Sequence, residues 1–414
     1  MQVVHKRCAG FDVHKKTVVA CPIVPDGKGG WCKGTRTFGT MLADLLALRD
    51  WLAEANVTHV AMESTGVYWK PVYNILEGDF EVLLVNAKHI KFVPGRKTDV
   101  KDAQWIAELL QHGLLKASFI PDASQRELRE LVRYRTHLIN ERTREVNRVH
   151  KVLEDANIKL SSVASDIMGV SGRDMLAAII AGKDDPAALA QLAKARMRSK
   201  IDELERALEG CIKDSHRLLL TLHLEHIDDL NAKLERLEQE IEQLIRPFDE
   251  DDLVARLDTI PGVDKKTAQV IIAELGTDMD RFESAGHAAS WAGLVPGKHE
   301  SAGRNRSSKT AKANRYLKTA LVQAANAVGR SKGNYLAARY RRLAARRGKK
   351  RADVAVAHSI LIIAYHIIQK GTEYVDLGAN YFDERKQEIV QKQLIKRLEK
   401  LGLKVTVEPL SAAA

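Results

Sequence analysis

Four carboxylates stand at intervals near the start of the chain: Asp12 in GFDVHKK, Glu63 in AMESTGVYW, and Asp99 with Asp102 in KTDVKDAQW. Magnesium takes oxygen ligands, and a pair of such ions about 3.5–4 Å apart activates an attacking oxygen while stabilising a leaving one. Gathered at one point, these four acids would equip the chain for phosphodiester chemistry; without a cation they would repel one another. Three of them also have a plainer reading, Asp99 and Asp102 as acids favoured by a helix dipole and Asp12 as a turn residue.

The order of the surrounding elements favours the site. Apolar runs Lys6–Phe11 and Thr17–Val24 flank His14-Lys15-Lys16 and predict a hairpin, with Asp12 at the end of its first strand. A third extended segment, Trp31–Phe38, precedes a helix over Met41–Ala55; Thr58–Met62 is a short strand ending at Glu63; a second helix runs through Tyr73 and Leu76; Phe80–Val85 is another strand. The order is β-β-β-α-β-α-β. Thr98 then caps a helix that carries Asp99 and Asp102 one turn apart, so strand ends and a helix start converge.

Whole blocks carry a resemblance: GFDVHKKTVVAC, ESTGVYWKPVYNIL, NAKHIKFVPGRKTDVKDAQWIAELLQHGLL, LVRYRTHLINERTREVNRVHKVLE, IPGVDKKTAQVIIAELG and WAGLVPGKHESAGRNRSSKTAKANRYLKTAL. They resemble the DEDD insertion-sequence transposases of the IS-one-ten type, RNA-bridged serine recombinases of mobile elements, over most of the chain apart from a middle insert. The resemblance implies a ribonuclease-H-like (RuvC-like) α/β domain whose acids Asp12, Glu63, Asp99 and Asp102 bind two Mg²⁺. It also implies a nucleophilic serine between the GLVP turn and the NRYL helix, which falls on Ser301 of HESAGRNR, with Ser307 and Ser308 as reserves because Ala302 departs from the usual Gly or Ser. Arg304, Arg306 and Lys309 stand ready to stabilise charge on a phosphate attacked there. By the same resemblance the partners are donor and target DNA and a guide RNA encoded by the element, in a homo-oligomer, dimer or tetramer, where the carboxylates of one subunit meet the serine of another.

Bulk properties agree. In 414 residues, 65 Lys and Arg against 54 Asp and Glu give a net charge of +11, which favours a polyanionic partner. Cys8, Cys21, Cys32 and Cys211 form no CxxC pair, so neither a zinc ribbon nor a disulfide framework is expected and a reducing cytoplasm fits. No charged-then-apolar leader is seen, and the greasiest stretch, Val354–Ile368, is broken by His358 and His366 and is shorter than a membrane span of roughly 20 residues; it is expected to be a buried helix.

Beyond the first domain (1–122), a helical and coiled-coil region is expected over 123–250, a serine-bearing, mainly α domain over 251–370 and a basic tail over 371–414. Gln125–Leu160 is a long helix with Leu128, Val132, Leu138, Val146, Val149 and Leu153 on one stripe. Its other face carries Arg133, Arg135, Arg142 and Arg148, read either as a solvated face or as phosphate contacts. Ile227, Leu230, Leu234, Leu237, Ile241 and Leu244 form a heptad seam, expected to be an oligomerisation arm although a bundle helix has the same pattern. LDTIPGVDKKTAQVIIAELG resembles a helix-hairpin-helix, with Pro261-Gly262 as its turn and Lys265 and Lys266 beside a phosphate, or else a simple helical hairpin. Arg315 lies on the exposed side of the helix after the serine, and the run Arg339–Arg351, with Arg341 and Arg342 beside Tyr335 and Tyr340, favours binding to RNA or DNA.

Two rivals remain at this stage. One is a metal-dependent junction resolvase or nuclease with no covalent intermediate, the other a non-catalytic nucleic-acid-binding protein derived from such an enzyme.

Overall fold

The computed structural model describes residues 2–64, 66–86, 102–297, 300–301, 304–305, 309–310, 313–384 and 387–406. Asp99, Arg306, Ser307 and Ser308 therefore lie outside the described residues. The chain divides into two compact units, Met1–Pro121 and Asp122–Ala414.

The first unit is built on a mixed sheet. Strands β1 (Cys8–Val13) and β2 (Thr17–Pro25) form the expected hairpin, closed by His14 N–H donating to Thr17 O at 2.9 Å. The single extended segment expected over Trp31–Phe38 is instead two short strands, β3 (Trp31–Lys33) and β4 (Arg36–Gly39), interrupted at Gly34-Thr35, both antiparallel to β2. Helix α1 (Leu42–Glu54) returns the chain to β5 (His59–Glu63), parallel to β1; α2 (Trp69–Leu76) leads to β6 (Glu81–Val85), parallel to β5. The order across the sheet is β3-β2-β1-β5-β6.

Period-two alternation sends the strand residues to opposite faces. Ala9, Phe11, Val13, Val60 and Met62 pack with Leu45, Leu48 and Leu52 of α1 and Val72 and Leu76 of α2. Cys8, Ala61 and Val85 point the other way, onto Ile106, Ala107 and Leu110 of α3 (Asp102–Gln111). Two buried faces explain why β1 and β5 read as nearly continuous apolar runs.

The second unit is helical. Asp122 caps the 33-residue helix α4 (Ala123–Asp155) by accepting from Gln125 N–H at 2.8 Å. Beyond α5 (Leu160–Val163), α6 (Val170–Ile180), α7 (Pro186–Ala190) and α8 (Ile201–Leu208) comes the second long helix, α9 (Asp214–Leu244), which runs antiparallel to α4. The polar pairs along their contact fix the register: His216 with Asp155, His223 with Glu145, Arg142 with Asn231.

Here the expectation of an oligomerisation arm is corrected. Ile227, Leu230, Leu237 and Ile241 are buried inside this chain, the last three in one core with Leu128, Val132 and Leu138 of α4. A seam already covered by the neighbouring helix offers no apolar stripe to a second copy, and two antiparallel helices of one chain satisfy the same heptad spacing.

That core continues without a break through α10 (Leu253–Asp258), α11 (Lys265–Leu275), α12 (Ala285–Trp291), α13 (Arg315–Arg330), α14 (Tyr335–Arg347) and α15 (Lys349–Lys370). Helix α15 is long and apolar enough to cross a membrane by length and composition. Its Ala352, Val356, Ala357, Ile360, Leu361 and Ala364 are completely buried in that core, as expected of an internal helix. Short helices α16 (Tyr381–Glu384) and α17 (Gln387–Glu399) follow.

Candidate active site and nucleic-acid interface

Adjacent parallel strands place two of the four acids side by side. Phe11 is in register with Met62, so the next residues, Asp12 and Glu63, stand together at the carboxyl ends of β1 and β5, both on the face that α3 covers. Asp102 is the first residue of α3.

The seat of α3 is a glycine. A Cβ on Gly10 would lie 2.3 Å from both Ala103 O and Ala107 N, so only glycine allows the helix backbone to touch the strand. The Cys8 thiol donates to Ala107 O at 3.7 Å, which orients the helix antiparallel to β1: as the strand runs from Cys8 to Asp12, the helix runs back from Ala107 to Asp102. The helix start therefore comes to the strand ends, and three of the four predicted acids share one edge of the sheet.

They do not form a closed ligand cluster: among the described residues no three His, Cys, Asp or Glu side chains are gathered as a metal would need. Asp12 instead accepts from, or pairs with, His14 Nε2 at 3.0 Å. His14 was read from the sequence only as a turn residue; its signal was the i, i+2 spacing from an acid at a strand end. The donor set suits magnesium, since all three are carboxylates, hard oxygen ligands, two at the ends of parallel strands and one at a helix start.

Ser301 belongs to a two-residue strand, Glu300–Ser301, antiparallel to Arg304–Asn305, with Ser301 opposite Arg304. The base of this hairpin is tied by a bridge between Pro296 and Thr310 and by Gly297 N–H donating to Lys309 O at 2.9 Å. Nothing is described of the Ser301 or Arg304 side chains.

The helical unit also holds a polar network that the sequence did not announce. Glu274 is completely buried in α11, and its carboxylate accepts from both Arg133 Nε and Nη2 at 2.7 Å and from Asn314 Nδ2 at 2.6 Å. Arg129 adds an ion pair at 3.4 Å and donates to the carbonyls of Ala273 and Glu274. Burial, opposed by Glu274, pulls the Arg129 pKa down to about 10. Asn314 meanwhile accepts from Tyr316 and Leu317 N–H and so caps α13. Tyr316 lies under two guanidinium groups, Arg133 at 4.8 Å and Arg315 at 4.9 Å, and its hydroxyl meets His137 Nε2 at 2.8 Å.

The expected phosphate contacts divide accordingly. Arg135 is corrected: it is 2% exposed, donates to Gln269 Oε1 and Lys266 O, and so is turned into the helix pack, away from any phosphate. Arg142 donates to Asn231, and Arg148 pairs with Glu145 on its own helix. The turn at Pro261-Gly262 joins two helices as expected, with Gly262 at φ +84° packed on Ala324 O. Lys265 and Lys266 there reach Glu242 and Glu238 of α9. Arg341 donates to Ser331 O at 2.6 Å, while Arg342 lies 5.2 Å over the Phe382 ring; both are exposed.

Comparison with known proteins fixes the class. Residues 9–158 match the DEDD IS110 transposase family, and residues 254–341 match the family described as Transposase IS116/IS110/IS902. A "Probable family 20 transposase" of Pseudomonas aeruginosa is 26% identical over 334 residues, 79% of this chain and 88% of the relative. The "Transposase for insertion sequence element IS1328" of Yersinia enterocolitica is 24% identical over 261 residues, 63% of this chain and 67% of its own length. The "Pilin gene-inverting protein" of Moraxella bovis is 30% identical over 166 residues, 37% of this chain and 51% of that protein.

An enzyme of DNA transposition is thereby defined. The chain belongs to the IS110-type insertion-sequence transposases.

Proposed function

We propose that this transposase excises and inserts its element by serine attack on DNA phosphodiesters, at a magnesium site on a ribonuclease-H-like N-terminal unit, with an RNA choosing the DNA. The observation that supports the reading is that Asp12 and Glu63 stand at the ends of adjacent parallel strands and that Asp102 starts the helix seated against Gly10.

Asp12, Glu63 and Asp102 would hold Mg²⁺, joined by Asp99 on its family position. Bound there, the ion would supply positive charge to the attacked phosphate. Ser301 is the nucleophile. Its oxygen forms a bond to phosphorus, the bond from phosphorus to one deoxyribose oxygen breaks, the serine proton passes to solvent and a proton from solvent completes the freed hydroxyl. The ester energy is kept in the phosphoserine bond for rejoining. Arg304, Arg306 and Lys309 flank the serine in sequence and neutralise charge as it develops on the phosphate.

RNA guidance is supported by the exposed basic surface: Arg341, Arg342, Arg346, Arg347, Lys349, Lys350 and Arg351 are all exposed on α14 and the start of α15. Such a surface follows a phosphate backbone without reading bases. The chain would act as a homo-oligomer where the cell keeps its DNA.

The test is cleavage of an element-end DNA with Mg²⁺ and the co-isolated RNA, stopped by denaturant. The unchanged chain should yield a covalent protein–DNA adduct; Asp12→Ala should cleave nothing; Ser301→Ala should bind DNA and RNA but form no adduct. Cleavage without any adduct in the unchanged chain would favour a water-using nuclease. Full activity of RNA-free protein would remove the guide.

A further inference from the structure

Next to the basic stripe is a cavity that the transposition reading leaves without a role. It measures about 510 Å³, inside the roughly 300–1,000 Å³ range of small-ligand pockets, and lies between α14, α15 and residues 372–377. Ile362, Ile363 and Ile367 of α15 make its lining apolar; Tyr335, Tyr374 and His358 add aromatic rings to it. Burial, then the neighbouring Arg339, holds the His358 imidazole below its usual pKa, so at neutral pH it presents an uncharged ring.

Arg339 joins this cavity to a second one of about 360 Å³, lined by Arg339, Arg342, Leu343, Arg346 and Phe382. Its Nε–H is buried and has no partner, although Nη1 reaches the Tyr335 hydroxyl at 3.3 Å. A buried, unsatisfied donor is costly and calls for an acceptor. Arg339, Arg342 and Arg346 follow at i, i+3 and i+7, one face of the helix. Phe382 stacks on Tyr335 with ring centroids 5.2 Å apart and lies under Arg342.

We infer that this cavity receives one unstacked base of a nucleic-acid single strand, whose phosphates run along Arg339, Arg342 and Arg346. An apolar slot beside an arginine ladder and stacked aromatic rings is the combination that binds single strands: the groove takes the phosphates and the π-faced base enters the slot. A base carbonyl or ring nitrogen, or the adjoining phosphate oxygen, satisfies the Arg339 Nε–H. A duplex cannot enter, because its bases are paired and stacked. The inference rests on the chain's acting on nucleic acid, not on the serine or on magnesium.

The experiment uses the full chain without Mg²⁺, and 2-aminopurine-labelled single strands made once as DNA and once as RNA. Binding should change the aminopurine emission. Val375→Trp places an indole at the cavity from a residue 76% exposed, so folding is left intact; it should abolish the emission change and weaken binding about tenfold. Replacing both Arg342 and Arg346 by Ala should lower the salt-dependence slope by about 1.4, two single-strand phosphates. The response of the DNA or the RNA strand alone identifies the natural source. An emission change that survives Val375→Trp, or a blunt duplex that competes as well as the single strand, overturns the inference. Because no cleavage is measured, loss of the serine mechanism would leave these outcomes unaffected.

Discussion

Gly10 and Ala103 touch backbone to backbone: a Cβ on Gly10 would stand 2.3 Å from the Ala103 carbonyl oxygen. That contact fixes how far the start of α3 lies from the strand ends, and hence how far Asp102 lies from Asp12 and Glu63. Neither partner is a flexible side chain, so an added methyl group must lift the helix. Gly10→Ala is expected to destabilise the chain by about 1–3 kcal/mol, as overpacking does. It should also depress Mg²⁺-dependent cleavage more than a surface variant of equal stability does. Thermal unfolding and cleavage measured side by side check it; unchanged cleavage would mean that the glycine serves packing alone.

Glu274 ties three elements by one carboxylate: Arg129 and Arg133 of α4 and the Asn314 cap of α13. Removing its charge leaves two buried or half-buried guanidinium groups without their counter-ion, a loss of about 3–5 kcal/mol for a buried pair broken on one side. Glu274→Gln should therefore lower the urea midpoint sharply. Changing Arg133 to Ala as well should recover part of that loss, because one stranded cation is gone. The double-variant cycle is the measurement, and simple additivity would contradict the network.

Much of the first unit was legible in its residues. The apolar runs Lys6–Phe11 and Thr17–Val24 and the short run before Glu63 mark strands in the right order, with Asp12 and Glu63 at strand ends. The break at Gly34-Thr35 escaped because a single apolar-polar run does not mark an interruption. On α4 the arginine face misled: charge periodicity shows which residues share a face, but not that another helix covers that face. Arg135 is directed at Gln269, 134 positions away, and Arg133 at Glu274, 141 away. Glu274 itself sits in an ordinary apolar helix sequence, and nothing local distinguishes it from a solvated glutamate. The seam on α9 was real, but spacing alone does not say whose helix covers it.

Tyr340 carries a pH signature. It is 7% exposed, its ring lies against Gly329, and its hydroxyl donates to Asp353 Oδ1 at 2.8 Å. Burial first, then Asp353, raises the phenol pKa from 10.0 to about 12. A group whose folded pKa is raised contributes stability that is complete below its unfolded pKa and lost as pH climbs toward the folded one. The stability difference between the unchanged chain and Tyr340→Phe should accordingly be constant below pH 10 and shrink between pH 10 and 12. Urea unfolding of both chains across that window gives the answer; a difference that grows with pH would reverse the assignment.

Ile241 tests where the long seam is closed. It is completely buried on α9, in one core with Leu128 and Val132 of α4, whereas Leu222 on the same helix is 52% exposed. If α4 is its partner, Ile241→Asp places a carboxylate inside the chain's own core. Unfolding should then become easier by several kcal/mol at every protein concentration, since charge burial without a partner is among the severe single changes. Leu222→Asp, at a site already meeting water, should stay within about 0.5 kcal/mol. A seam between copies would behave differently: Ile241→Asp would first shift the mass measured by light scattering, and its unfolding midpoint would rise with concentration by mass action. An unfolding midpoint that falls equally at micromolar and at hundredfold higher concentration, with the assembly mass unaltered among molecules still folded, is the outcome expected of an intramolecular pair.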